Sequence, residues 1–396
     1  MLYPWIRRVG RWADDARERA NWRLWASMFF VNRELKHHPG LSLRTRLWAL
    51  RRGFFSESVP LFELDGGDLD RYLSNWERIE TRKINGKAGY VHRNKALFYY
   101  VMGPEWAAHL PDCYGVVRDG RVVRTPYSEP IGSDADVEAP SSGTVGSDAD
   151  HDAVGSDADP DAVGSVASCV DAAGTVVVRP QGGSGGEDVH IVSAESDGYA
   201  IDGASASRAD VERLATEHDA HILTAFVEQG PFPRSLYPDS PNTIRIVTMI
   251  DPETREPYVA AAVQRIGTSA SSPVDNWSKG GIAANVDLET GELSAAVSYP
   301  DGDRRGEHDV HPETGAKIRG RTVPSWAATV EEVLAMADYL GSLTPYVGWD
   351  VLQTDDDGSF VVIEGNNWPD IDVIQPHVPL VGDERNRRFF EHHGVR

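Results

Sequence analysis

The chain has 396 residues, room for two or three packed lobes, and carries 61 acidic against 39 basic side chains, a formal net charge of −22. Such acidity argues against nucleic acid as a partner, because backbone phosphates are held by clustered cations. Its two cysteines, Cys113 and Cys169, exclude a disulfide framework and a cysteine zinc site, and no run reaches the ~18 apolar residues that span a bilayer.

Charge is uneven along the chain. Residues 1–53 hold 12 basic against 4 acidic side chains, whereas the other 343 hold 27 against 57. Five of the 11 tryptophans (Trp5, Trp12, Trp22, Trp25 and Trp48) lie in this arm, which reads as helical. Trp5, Ile6, Val9, Trp12, Ala13 and Ala16 share one helical stripe, with Arg7, Arg8 and Arg11 beside it. Two readings follow. A basic amphipathic helix with tryptophans suits an anionic membrane surface, giving peripheral contact through residues 1–30. Alternatively the arm docks on the acidic body, the reading that the charge balance favours. No apolar core ends in a small-residue cleavage site, so a cytoplasmic location, in contact with the inner membrane face under the first reading, is expected.

Residues 67–82 read as a helix, and 94–109 as another before a short strand at 114–118. Residues 127–168 are an interruption: Gly132-Ser133-Asp134-Ala135-Asp136 recurs at 146–150 and 155–159, with little but Ser, Gly, Asp, Ala and Pro between. Such a segment buries too little apolar surface to offset chain entropy and is expected to be a disordered, looped-out insert.

Val176–Arg179 then reads as a buried strand ending in a cation, followed by Gln181-Gly182-Gly183-Ser184-Gly185-Gly186 and a second strand near Val189. Strand, glycine loop, strand lets backbone N–H groups close around phosphate oxygens. No helix follows and no Gly-Lys-Ser/Thr ending occurs, which excludes a P-loop and a dinucleotide fingerprint. A helix near 207–219 and a closing strand through Phe226-Val227-Glu228-Gln229 come next. Residues 242–298 give four or five strands, including 243–250 and 258–266, and Pro324–Gly341 a helix. Finally, Gly348-Trp349-Asp350-Val351 and Phe360–Asn367, separated by Asp355-Asp356-Asp357-Gly358, form an antiparallel hairpin. Period-two alternation aims Glu364 and Asn366 at one face. With Asp350 they make a hard-oxygen set suited to Mg²⁺, with nucleotide phosphates and water completing its shell; a polar hairpin rim is the alternative.

Taken in order, these parts resemble the ATP-grasp superfamily, most closely its sugar-transfer-associated branch, over about residues 45–380 apart from the insert. Further carriers are Arg51-Arg52-Gly53-Phe54, Ile84-Asn85-Gly86, Asn94-Lys95-Ala96-Leu97-Phe98, Pro241-Asn242-Thr243-Ile244-Arg245, Val274-Asp275-Asn276-Trp277-Ser278-Lys279-Gly280-Gly281, Gly291 and Pro324-Ser325-Trp326. The resemblance implies an α+β ATP-grasp fold in which two lobes clamp ATP between antiparallel sheets, preceded by a helical arm. It implies that Asp350, Glu364 and Asn366 hold Mg²⁺, or Mn²⁺ in its place, and that Lys95, Arg179, Gly182, Gly183, Ser184 and Gly185 hold the ATP phosphates. Val227 would read adenine through its backbone and Glu228 the ribose. Arg245, Arg265 and Asn276 would surround the reacting phosphate. Arg179 stands where the superfamily has lysine. With 6 lysines in the whole chain, a general shift to arginine accounts for this, although a guanidinium is a planar fork rather than a point charge. The same acidity and lysine scarcity fit a saline cytoplasm, where salt screens the repulsion between carboxylates.

The implied chemistry is a ligase that activates a carboxylate as an acylphosphate for attack by an amine, with an amino sugar or glycan precursor among the candidate substrates. A small-molecule kinase and a non-catalytic nucleotide-binding adaptor at a membrane are the alternatives. No catalytic histidine is expected, His377, His392 and His393 reading as surface or loop residues. The expected domains are 1–53 (arm), 54–126, the insert 127–168, a small lobe at 169–232, a metal-bearing lobe at 233–385 and a tail at 386–396.

Overall fold

The computed structural model describes residues 3–36, 40–128, 162–183, 188–217, 220–300 and 304–396, with the side chains of 3–19, 162 and 163 also outside the description. The repeats of the insert therefore lie outside the described residues, as do the side chains of the stripe from Trp5 to Ala16. The chain divides into two compact units. The first comprises Met1–Lys87, Phe232–Gly348 and Trp368–Arg396; the second comprises Ala88–Pro231 and Trp349–Asn367.

The second unit is organised by an eight-stranded sheet. Its strands are β1 (Cys113–Arg118), β2 (Arg121–Val123), β3 (Ala162–Gly164), β4 (Thr175–Pro180), β5 (His190–Glu195), β6 (Gly198–Ile201), β7 (Ala204–Ala206) and β8 (His221–Ala225). They lie in the order β3-β2-β1-β8-β4-β5-β6-β7, and each pairing is antiparallel. Alternation fixes the faces: Val176 and Val178 of β4 turn into a core with Val117, Val192 and Leu223. Two helices cover that core. Val166–Ala173 starts at a Ser165–Ser168 capping box, and Arg208–Glu217 buries Val211, Leu214 and Ala215. Burying each such aliphatic side chain contributes about 1.5–3 kcal/mol.

In the first unit, β9 (Ile244–Ile250), β10 (Pro257–Ile266), β11 (Ile282–Val286), β12 (Leu293–Ser298) and β13 (Glu307–His308) are consecutive antiparallel neighbours. The hairpin strands are β14 (Tyr346–Gln353) and β15 (Phe360–Asn366), neighbours in sheet order, of which Trp349–Asn367 belongs to the second unit. The later part of helix Tyr3–Lys36, from Trp22 to Glu34, docks within the first unit. Trp22 Nε1 donates to Glu80 (3.0 Å), Phe29 meets Trp368 (5.9 Å between centroids), and Phe30 meets Phe55 (4.7 Å). Buried Glu34 accepts from Ser56 N (3.0 Å), Ser56 Oγ (2.5 Å) and Arg46 Nε (3.0 Å). Among the described residues no helix is long and apolar enough to cross a membrane.

The helix expected over 67–82 is broken. A 3-10 turn, Leu69–Arg71, stops short of helix Asn75–Thr81, which starts at a Ser74–Glu77 capping box. Between them Leu73 is held in both directions by Gln375: its N–H donates to Oε1 (2.8 Å) and its carbonyl accepts from Nε2 (2.9 Å). Those contacts replace the i→i−4 bonds that a continuous helix requires. His377, read as a surface or loop residue, stands in a turn and is half-buried, with Nε2 at 3.0 Å from Ala283 O, and burial pushes its imidazole down to about 4.

Asp251, at the end of β9, accepts from Arg385 Nε (2.6 Å), Glu253 N (2.9 Å) and Thr254 N (3.2 Å). The Arg385 bond, then the backbone bonds, hold its carboxyl down at about 2. The folded value lies below the ordinary one, so this stability is present above about pH 4 and is lost as pH falls through 2. Asp251→Asn should lower unfolding free energy at neutral pH by about 1–2 kcal/mol and flatten its dependence between pH 4 and 2, measured by urea unfolding. A second test concerns Gly365 on β15. A Cβ there would sit 2.5 Å from His92 Nδ1 and 3.0 Å from Phe98 Cε2. Gly365→Ala should therefore cost about 1–3 kcal/mol, read as a lower urea midpoint.

Candidate functional site

The predicted nucleotide and metal residues that the structure describes lie inside the second unit. Helix Lys95–Trp106 begins where Asn94 caps it, its side chain accepting from Leu97 N at 2.9 Å. At that same turn Lys95 N donates to Gln181 O at 2.7 Å, which ties the start of the glycine loop to the start of the helix. Gly183 has φ 108° and open space around it, a backbone state that favours glycine. Gly182 lies with Arg93 O as its nearest neighbour at 3.7 Å from where a Cβ would be. Ser184 and Gly185 fall outside the described residues.

Lys95 Nζ reaches Glu364 Oε2 on β15 at 3.4 Å. Asn366 stands two residues further on the same strand, and Asp350 is buried on β14, its neighbour in the sheet. Arg179, at the end of β4, is buried as well. Its Nη1 donates to Ile363 O at 3.1 Å and its Nη2 to Tyr99 OH at 3.4 Å. The cation expected to hold phosphate is thus braced against the backbone of β15, one residue before Glu364.

Orphaned polar atoms gather here. Arg179 Nε, Asn366 Nδ2 and both ring nitrogens of His92 are buried without a hydrogen-bond partner. Burial pushes the His92 imidazole down to about 4, so it is neutral near pH 7. Buried groups are normally paired, and several unpaired ones near two carboxylates suit a guest that would satisfy them. Among the described residues no group of three or more His, Cys, Asp and Glu could hold a metal ion. The predicted set is of another kind: two carboxylates and an amide oxygen, with phosphates and water filling the shell. Those hard-oxygen donors fit Mg²⁺, which dehydrates reluctantly and takes few protein ligands.

Val227 and Glu228, expected on a strand, lie beyond the end of β8 in a segment without regular structure. The reason is the sheet itself. Ala225 is the last β8 residue to find a partner, opposite Val176 of β4, while β1 begins opposite Thr224. The segment is then fixed by Gly230 N, which donates to Gln353 O at 2.8 Å.

The remaining three predicted residues belong to the first unit. Arg245 on β9 pairs with Val263 of β10, and Arg265 lies two residues beyond Val263, so both arginines share a face as diagonal neighbours. Arg265 is held by Thr243 Oγ1 (3.0 Å from Nε, 2.5 Å from Nη2) and Asp275 Oδ1 (3.1 Å). Asp275 Oδ2 in turn accepts from Thr243 N (2.8 Å) and Oγ1 (2.6 Å). Sequence reading did not single out Thr243 and Asp275 as supports; their signal was position, next to Arg245 and Asn276. Asn276 organises a turn, its Oδ1 accepting from Ser278 N (3.1 Å) and Ser278 Oγ (2.9 Å).

Comparison with known proteins follows the same lines. No curated protein matches the chain. Solved structures overlap it partially. N5-carboxyaminoimidazole ribonucleotide synthetase in complex with ADP is 12% identical, covering 72% of this chain and 46% of its own, with a TM-score of 0.34. An L-amino acid ligase from Bacillus licheniformis is 13% identical (79% and 45%, TM-score 0.30). D-alanine–D-alanine ligase from Bacillus anthracis is 12% identical (70% and 57%, TM-score 0.31). The chain thus spans about half the length of these proteins, and at such scores the assignment rests on the family match alone. The family described as sugar-transfer associated ATP-grasp matches residues 83–378, from just before Lys95 to beyond the hairpin. With three-quarters of the sequence inside that match and two antiparallel sheets carrying the candidate residues, the chain belongs to the sugar-transfer associated ATP-grasp family.

Proposed function

We propose that the protein is an ATP- and Mg²⁺-dependent ligase that activates a carboxylate as an acylphosphate and joins it to an amine. The observation that carries this reading is the Lys95–Glu364 pair at 3.4 Å, on a hairpin that also bears Asp350 and Asn366. A cation beside two carboxylates and an amide is an arrangement that ATP phosphates and a divalent ion would complete. Asp350, Glu364 and Asn366 would hold Mg²⁺ (or Mn²⁺), which when bound neutralises phosphate charge. Gly182 and Gly183, with Ser184 and Gly185, would offer backbone N–H groups to the phosphates, and Val227 and Glu228 would meet adenine and ribose.

The chemistry balances in two steps. A substrate carboxylate oxygen attacks the γ-phosphorus, the bond to the β-phosphate oxygen breaks, and ADP leaves with that electron pair. The amine nitrogen then attacks the acyl carbon, phosphate departs, and the amine loses its proton. Both steps develop charge on oxygens, so positioning and cationic stabilisation supply the catalysis. Lys95, Arg245 and Arg265 are the cations assigned to it, and Asn276 the neutral neighbour. An amino sugar or glycan precursor as the amine follows from the family description alone, an argument by association. So does the place in polysaccharide synthesis; the cytoplasmic location rests on the missing signal-peptide pattern and the saline setting on composition.

One observation favours a second reading. Both Nη atoms of Arg179 are engaged by protein groups, at 3.1 and 3.4 Å, as they would be in a nucleotide-binding adaptor without turnover. ADP release in high salt, with pools of carboxylates, amino acids and amino sugars, separates the cases. The ligase reading expects Mg²⁺-dependent ADP release that needs a carboxylate and an amine together, reduced at least about a hundredfold in Asp350→Asn and Glu364→Gln. Release with a sugar or polyol alone would make the protein a kinase, and nucleotide binding without turnover in any pool would make it the adaptor.

A further inference from the structure

We propose that the outward face of the N-terminal helix is a self-association surface, on which a second copy of this chain packs its own matching face. Over residues 20–36 this helix has two apolar sides. Trp22, Ala26, Phe29 and Phe30 are turned toward the first unit, where the aromatic rings pack. Half a turn round, Leu24, Met28, Val31 and Leu35 are each 55–70% exposed. A helix docked by one side normally presents polar residues on the other. Singly scattered apolar residues need no explanation, but four in one line do.

Their spacing is four, three, four, the a/d seam of a helix pair. Asn21 continues the line at the next a position, a place where asparagine fixes register in two-stranded seams. The competing occupant is a bilayer. An interfacial helix presents a broad apolar face with aromatic residues and basic borders. In the described part of this helix Trp22, Phe29 and Phe30 are on the docked side, with Lys83 Nζ 4.7 Å from the Trp22 ring centroid, and Trp25, 37% exposed, is covered by Arg82 at 4.7 Å. Ser27 and Asn32, exposed beside the stripe, are uncharged, and the exposed cations Arg23 and Lys36 lie further round the helix. Ser27 and Asn32 offer lipid phosphates no cation, and two copies no like charges to hold them apart.

Leu43 and Leu47, one turn apart on helix Leu43–Leu50, are exposed too. The four side chains of the stripe alone present on the order of 400 Å² per copy, about half of the ~800 Å² per partner of a standard interface. One patch that serves both partners closes under a two-fold axis. The proposal is independent of the ligase reading.

Sedimentation velocity of the full chain across a concentration series tests it. A two-copy species should form at micromolar concentration. Leu24→Glu/Val31→Glu should raise its dissociation constant by about tenfold or more, with the thermal midpoint of the chain unchanged because both side chains point outward. Arg23→Glu, off the stripe, should leave the two-copy species intact. A wild type that stays single at every concentration would overturn the proposal, as would a pair that survives the double substitution. So would a single-copy chain that pellets with anionic vesicles through these same side chains, which would make lipid the occupant.

Discussion

Close backbone approach at Gly365 governs the arrangement of the candidate nucleotide residues. Without a side chain at that position, β15 can lie against His92 and Phe98, and the strand then presents Glu364 on one side of the glycine and Asn366 on the other. Arg179 reinforces the placement by bonding Ile363 O, and Lys95 balances the charge of Glu364. The helix that supplies Lys95 is itself tied to the glycine loop by the bond from Lys95 N to Gln181 O. Strand, helix and loop are thereby held in one unit by short contacts, which lets flexible side chains keep a fixed geometry.

Buried atoms left unpaired on Arg179, Asn366 and His92 are costly to maintain in a protein that has nothing to bind there. The imidazole of His92 is kept neutral by burial, so it adds no positive charge beside Lys95 and Arg179. The first unit follows another logic. Its Arg265 is held by Thr243 and Asp275, which fixes the orientation of the guanidinium.

The hairpin was legible because strand, acidic turn and strand are local patterns, and because alternation puts Glu364 and Asn366 on one face whatever the surroundings. The antiparallel strands from Ile244 to Ser298 were legible for the same reason. What escaped sequence reading depends on distant partners. The break before Ser74 is made by Gln375, some 300 residues away. The loss of strand structure after Ala225 comes from β4 and β1 running out of pairing residues. The bracing of Arg179 by Ile363 and Tyr99 has no local signature. In the arm, the tryptophans and arginines dominate the composition. Its docked rings and its outward aliphatic line become separable only when the helix is seen against the first unit.

The central claim is that the second unit binds ATP through a divalent ion on the β14–β15 hairpin. Isothermal titration of ATP into the full chain, with Mg²⁺ and with chelator, measures it directly. The account predicts saturable binding in Mg²⁺ that weakens at least about tenfold in chelator. ATP affinity that is absent, or equal with and without the divalent ion, would contradict it.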